Sequence, residues 1–210
     1  MTALAYKLDP NAARETDNGA ARLTETGAYT GQFTVAKHID ARSGAVGIEF
    51  NFKTDDNREA NRLSLYTRNR DGSPIFGEKQ LSALMTCLKL REINPTSAQV
   101  EVYDYDAKQT VHQQAAVYLE LMNKPIGVCL QAEEYLNKQG EVKKRLNLVR
   151  FFDAKTRQTA SEVLDKQSPV KLDAYLQTLK DKPLSTGHGH AAPNNQAAHA
   201  DDDFDDDIPF

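Results

Sequence analysis

Two groups of residues in this chain have the types and spacing for recognition chemistry. Asp201 to Phe210 reads DDDFDDDIPF. As the terminal residue, Phe210 would offer a benzyl group and a free carboxylate on one carbon. Pro209 has no backbone donor and holds Ile208 extended, and Asp205, Asp206 and Asp207 precede them as a block of negative charge. Such a peptide suits a receptor with an apolar pocket for the ring and a basic ridge for the aspartates. Burying the ring is worth about 1.5–3 kcal/mol. The second group lies mid-chain, where Arg62, Ser64, Tyr66, Arg68 and Arg70 share one parity of a strand-like run and Leu63 and Leu65 take the other. Cations that track phosphates beside an aromatic that stacks on any base are what sequence-independent binding of a single strand requires. A further basic run, Lys143, Lys144, Arg145 and Arg150, falls on a late strand.

Charge is distributed unevenly between these groups. Six of the 30 acidic residues lie between 201 and 207, which leaves the rest of the chain with 24 acids against 26 bases. A slightly basic body thus carries an acidic tail, and clustered aspartates that repel one another predict a solvated, disordered segment until a partner binds. Between them, residues 183–200 are Gly, His, Ala, Asn and Gln in the main, with no Lys or Arg beyond Lys182, as in a flexible linker.

The elements that must position the strand-face residues are legible from periodicity. Tyr29, Gly31, Phe33, Val35 and Ile39 share a parity, as do Val46, Ile48, Phe50 and Phe52 beyond the Ser43-Gly44 turn, and a third strand follows at 61–70. Leu81, Leu84, Met85 and Leu88 recur at helical spacing within 78–91. Strands are predicted at 98–103, 115–121, 126–136 and 142–152, then a helix over 170–179 capped by Ser168-Pro169. Phe33, Phe50, Phe52 and Phe152 alternate with aliphatics and are assigned to the core, whereas Tyr103, Tyr105 and Tyr135 suit stacking, and Phe76 lies in a 72–77 loop able to cross a groove. The resulting expectation is a mainly β, OB-fold-like Greek-key barrel with an inserted helix and a C-terminal helix, followed by a disordered tail. Its divisions are a loosely ordered 1–26, a folded domain 27–182, the linker 183–200 and the tip 201–210.

The terminal DFDDDIPF resembles the C-terminal tip of bacterial single-stranded DNA-binding proteins. In that family the tip follows an OB-fold and a linker, and it recruits replication, recombination and repair enzymes. More loosely, GAYTGQF at Gly27 to Phe33, GEKQLSALMTCLKL and NLVRFFD at Asn147 to Asp153 resemble phage and prophage single-stranded DNA-binding or recombination-associated proteins. The chain has no tryptophan and a longer body than the bacterial housekeeping members, so their tetrameric assembly does not carry over.

Other chemistries find little support. Gly77 is followed by Glu78 instead of lysine, and no Ser or Thr follows Lys79, so 72–79 is a turn and not a phosphate loop. His188, His190 and His199 belong to the linker composition, and Asp104 with Asp106 is too few acids for a nuclease. No catalytic residue, metal or cofactor is assigned, and Cys87 and Cys129 read as core thiols. MTALAYKLDP lacks the blocks of a signal peptide and no apolar run nears the roughly 20 residues of a bilayer span, giving a cytoplasmic protein with no membrane partner. The expected function is coating single-stranded DNA without sequence specificity while the tip docks repair, recombination and replication enzymes. The alternative is an adaptor or decoy that binds no DNA and competes for those partners. Homo-oligomerisation stays open.

Overall fold

The computed structural model describes residues 22–104, 109–137 and 139–184. The expected linker beyond Leu184 and the tip, including Asp205, Asp206, Asp207, Ile208, Pro209 and Phe210, lie outside these residues, as do residues 1–21. Seven strands pair antiparallel in one sheet: β1 (Gly27–Asp40), β2 (Val46–Thr54), β3 (Glu59–Arg68), β4 (Thr96–Asp104), β5 (Gln109–Val117), β6 (Pro125–Leu136) and β7 (Val142–Phe152). The helices are α1 (Phe76–Cys87), α2 (Ala160–Asp165) and α3 (Lys171–Thr178). None of the described helices is long and apolar enough to cross a membrane.

The alternation that marks β1 and β2 has its cause in the core. Phe33, Phe50 and Phe52 turn the same way and are fully buried, and Phe151 joins them from β7. The Phe33 and Phe50 rings are 4.4 Å apart, and Phe151 meets Phe33 edge-on at 6.5 Å. Close approach of β1 to β2 depends on Gly31, where an added Cβ would fall 2.1 Å from the Lys53 carbonyl oxygen.

β1 divides its second edge. Gly27 to Gln32 pair with β6, the Phe33 carbonyl accepts the Asn123 amide at 2.8 Å, the Ala36 carbonyl accepts that of Tyr118 at 2.9 Å, and Lys37 pairs with Val117 of β5. A bulge between Phe33 and Val35 marks this handover and bends the strand. The sheet therefore runs β7–β6–β1–β2–β3 along one path and branches to β5–β4 at the far half of β1.

β3 and β7 face each other across the seam of the curl, and α1 lies over both. Its Gly77 sits against β3 so closely that a Cβ would be 1.8 Å from the Tyr66 carbonyl oxygen. The Gln80 amide donates to the Leu148 and Val149 carbonyls of β7 at 3.3 and 3.2 Å, and Leu84 is fully buried between. Among the described residues no hydrogen-bonded ladder joins β3 to β7, so the helix spans a sheet left open there. This is an OB-like, mainly β fold with the helix inserted after the third strand, as the periodicity indicates.

Four details differ from the sequence expectation. Residues 119–121 form a 3-10 turn instead of strand, because the Leu121 amide turns back to the Tyr118 carbonyl and places Leu121 in the core, while β5 starts earlier, at Gln109. α1 stops at Cys87 because Lys89 adopts a left-handed φ of 57°. Residues 22–26 are tied down: Leu23 is buried in the main core with its amide on the Glu59 carbonyl, and the Thr26 hydroxyl accepts the Ala132 amide. Ser168-Pro169 does not cap α3.

That cap comes from Glu162 on α2, a short helix whose sequence signal is the Thr159-x-x-Glu162 capping box. Its carboxylate is completely buried; one oxygen accepts the Thr159 amide and hydroxyl and the other the amides of Val170 and Lys171, all at 2.8 Å. Burial alone would raise its pKa, but the Lys171, Thr159 and Val170 amides outweigh burial and hold the carboxyl down at about 2. A folded-state value below the usual 4.5 means that the carboxylate's contribution is complete above about pH 4.5 and fades as pH falls toward 2. Glu162→Gln turns a donor toward these amides. Urea unfolding at neutral pH should show a clearly lower midpoint than the parent, with a shallower further decline between pH 4.5 and 2. An unchanged midpoint would contradict the shared-cap assignment.

Candidate nucleic-acid interface

On β3, Leu63 and Leu65 are buried in the core, so Arg62, Ser64 and Tyr66 take the opposite, outer face. Strand pairing extends that face into rows. Tyr66 lies across from Gly47, which pairs with Ile39; Ser64 lies across from Glu49, which pairs with Lys37. Lys37 and Glu49 form a 3.0 Å ion pair. Arg62 sits at a bulge with φ 60°, its amide held by the Asn51 side-chain oxygen at 3.0 Å. Gly47 matters because a Cβ there would fall 2.4 Å from the Leu65 carbonyl oxygen. Gly47 is itself buried, so its lack of a side chain lets β2 approach β3 closely beside Tyr66.

The remaining cations of this group serve differently. Arg68 reaches Glu78 of α1 at 3.2 Å and the Gly72 carbonyl at 3.1 Å, fastening the β3–α1 turn. Arg70 lies beyond the end of β3, and a Cβ on Gly44 would be 2.7 Å from its Cγ, so its stem packs over the β1–β2 turn instead of continuing the strand face. Phe76 is the first residue of α1, 55% exposed, and follows Ile75, whose amide bonds the Thr67 carbonyl of β3.

The basic run on β7 is tied into the fold. Arg145 places two nitrogens on one Glu133 oxygen at 2.9 and 3.0 Å, and Asn147 and Lys182 bind the same carboxylate. Burial would raise the Glu133 pKa, yet Lys182, Asn147 and Arg145 together draw it down to about 2. Arg150 lies over the Tyr175 ring of α3 at 3.9 Å, a cation–π contact on the side of the sheet that α3 covers with Leu172, Leu176 and Leu179. Lys144 reaches Glu134 at 3.9 Å and Asp181 at 3.6 Å, and Lys143 reaches Glu141 at 3.3 Å. The structure thus groups Arg62 and Tyr66, both half-buried, on the outer face of β3 and separates them from the β7 cations. Strand register, which sets acids of β6 opposite bases of β7, has no sequence-local signal.

Among the aromatics, Phe33, Phe50, Phe52 and Phe152 are core residues as expected, and Tyr135 lies 5.4 Å from the Arg145 guanidinium. The side chains of Tyr103 and Asp104, together with Tyr105, Asp106, His188, His190 and His199, lie outside the described residues. Burial pushes the Cys87 and Cys129 thiols up to about 12, so both stay protonated and unreactive at neutral pH. Among the described residues no cluster of three His, Cys, Asp or Glu side chains is placed to hold a metal ion. No protein-family model matches the chain, and no curated protein gives a significant match.

The partnering on β7 separates structural from exposed cations. Arg145→Ala strips the buried Glu133 of its bidentate partner and should cost about 1–3 kcal/mol in urea unfolding. Lys143→Ala, whose pair is solvent-exposed, should stay within ~0.5 kcal/mol. Equal small losses would show that Arg145 is not part of the framework.

Proposed function

We propose that this chain binds single-stranded DNA without sequence specificity on the outer face of β1–β2–β3, and that the acidic terminus docks replication, recombination or repair enzymes. The observation that carries the reading is the juxtaposition of Tyr66 and Arg62 on the open face of an OB-like sheet, in a chain whose terminus reads DFDDDIPF. Aromatic stacking gives affinity that every base can supply, and a guanidinium beside it follows the phosphates. Phe76, more than half exposed, stands where the chain passes from the same strand into α1. Cytoplasmic location and a phage source belong to the same proposal.

A second reading, an adaptor or decoy that displays the tip and holds no DNA, draws on one specific observation. Arg68, Lys144, Arg145 and Arg150 are all engaged with acidic or aromatic side chains of the body, so the body has less available positive charge than its composition indicates.

Fluorescence anisotropy with labelled oligo(dT) separates the two. The DNA-binding reading expects saturable binding at low salt that weakens as salt rises, with a logarithmic slope of roughly 0.7 per phosphate neutralised. Tyr66→Ala should weaken binding by about 1–3 kcal/mol without unfolding the protein. No binding at low salt would leave the adaptor reading standing. Deleting Asp201–Phe210 should abolish enzyme docking and, where the tail competes for the basic face, tighten DNA binding at low salt; unchanged DNA affinity would exclude that competition.

A further inference from the structure

β4 ends the sheet order, and its outer edge has no strand partner among the described residues. Its nine pairs with β5, from Thr96↔Val117 to Asp104↔Gln109, run without a register shift, so the edge is regular. Monomeric proteins blunt such edges with lysine, proline or a bulge, whereas β4 reads TSAQVEVYD and has none of these. β5, QTVHQQAAV, carries no Lys or Arg either, so neither strand offers the charge that holds a phosphate backbone. One face of the hairpin is turned inward, with Val100 at 6% and Val117 at 0% exposure. On the other, Ser97, Gln99, Glu101, His112 and Gln114 are exposed. Only Lys37↔Val117 joins the hairpin to β1, and β5 lies between β4 and the rest of the sheet.

We propose that β4 pairs antiparallel with β4 of a second copy about a two-fold axis, making one sheet continuous across a dimer. An isologous pairing satisfies the open amides and carbonyls of both edges at once. Charge selects the partner and the register. With the axis at Val100, Gln99 of each copy lies across from Glu101 of the other and Asp104 across from Thr96, so no two acids are directly opposed. A basic strand would meet Glu101 alone among the described side chains of β4, and an acidic one would be repelled by it. The inference concerns self-association and stands whether or not the outer face of β3 binds DNA.

Light scattering or sedimentation of the full chain through a dilution series tests it. The expected result is a concentration-dependent mass that rises to twice 23.4 kDa. Gln99 is exposed, so substituting it leaves the hairpin intact. Gln99→Glu sets like charges opposite each other and should weaken the dimer roughly tenfold or more. The double change Gln99→Glu with Glu101→Gln restores an amide opposite each carboxylate and should restore the parent dimer. A monomer throughout the series would overturn the proposal, and so would a dimer equally tight in all three proteins, since it would use another surface.

Discussion

β1 has two hydrogen-bonding edges, and the placement of nearly every other element follows from how they are shared. β2 occupies one edge from Gly31 to Asp40. The other edge is taken up in sequence by β6, by the 3-10 turn after β5, and by the end of β5. A buried backbone group left without a partner costs as much as a lost hydrogen bond, so neither hairpin can slide along β1 without stranding amides and carbonyls. The bulge at Phe33–Val35 lets the strand change neighbours at the point where the core rings of Phe33, Phe50 and Phe52 meet. From that branching come the two unlike arms of the molecule, one curling under α1 toward β3 and the other carrying β4 out to an edge.

Charge in this fold is used first for architecture. Glu133 and Glu162 are both buried carboxylates, and each gathers groups that lie far apart in sequence. Glu133 joins β6 to β7 and to the chain at Lys182, while Glu162 joins the start of α2 to the start of α3. Each is held ionised by hydrogen bonds and ion pairs that outweigh the penalty of burial. The same economy draws Arg145 and Arg150 into the framework.

Much of this was legible in the residues alone. Alternation through Phe33 in β1 and from Ile48 to Phe52 in β2, with the i, i+3, i+4 pattern around Leu84, identifies β1, β2 and α1, because one face of each is buried in the same core. Beyond the bulge at Phe33–Val35 the parity shifts, so Ala36 is buried and Val35 and Ile39, expected on the Phe33 face, are not. The face of β3 bearing Arg62, Ser64 and Tyr66 follows from the same rule applied to Leu63 and Leu65. What failed did so for physical reasons. α2 is six residues long and has no room for a period, Leu121 is a core residue on a turn, and Leu23 is a lone apolar residue whose burial depends on β3. The capping group of α3 lies nine residues before Lys171 and reaches it only through folding.

By itself, the sequence determined most of the strands, α1 and α3, which rings form the core, and that a basic, aromatic strand face and an acidic segment belong to one chain. These are local properties, set by side-chain type and by the fixed periods of strand and helix. Only the tertiary structure decided which cations are tied into the framework, because register brings Glu133 to Arg145 and the docking of α3 brings Tyr175 to Arg150, across gaps of 12 to 25 residues. It alone also decided that the curl stays open between β3 and β7 beneath α1 and that β4 is left as an edge, since both follow from how the two edges of β1 are divided.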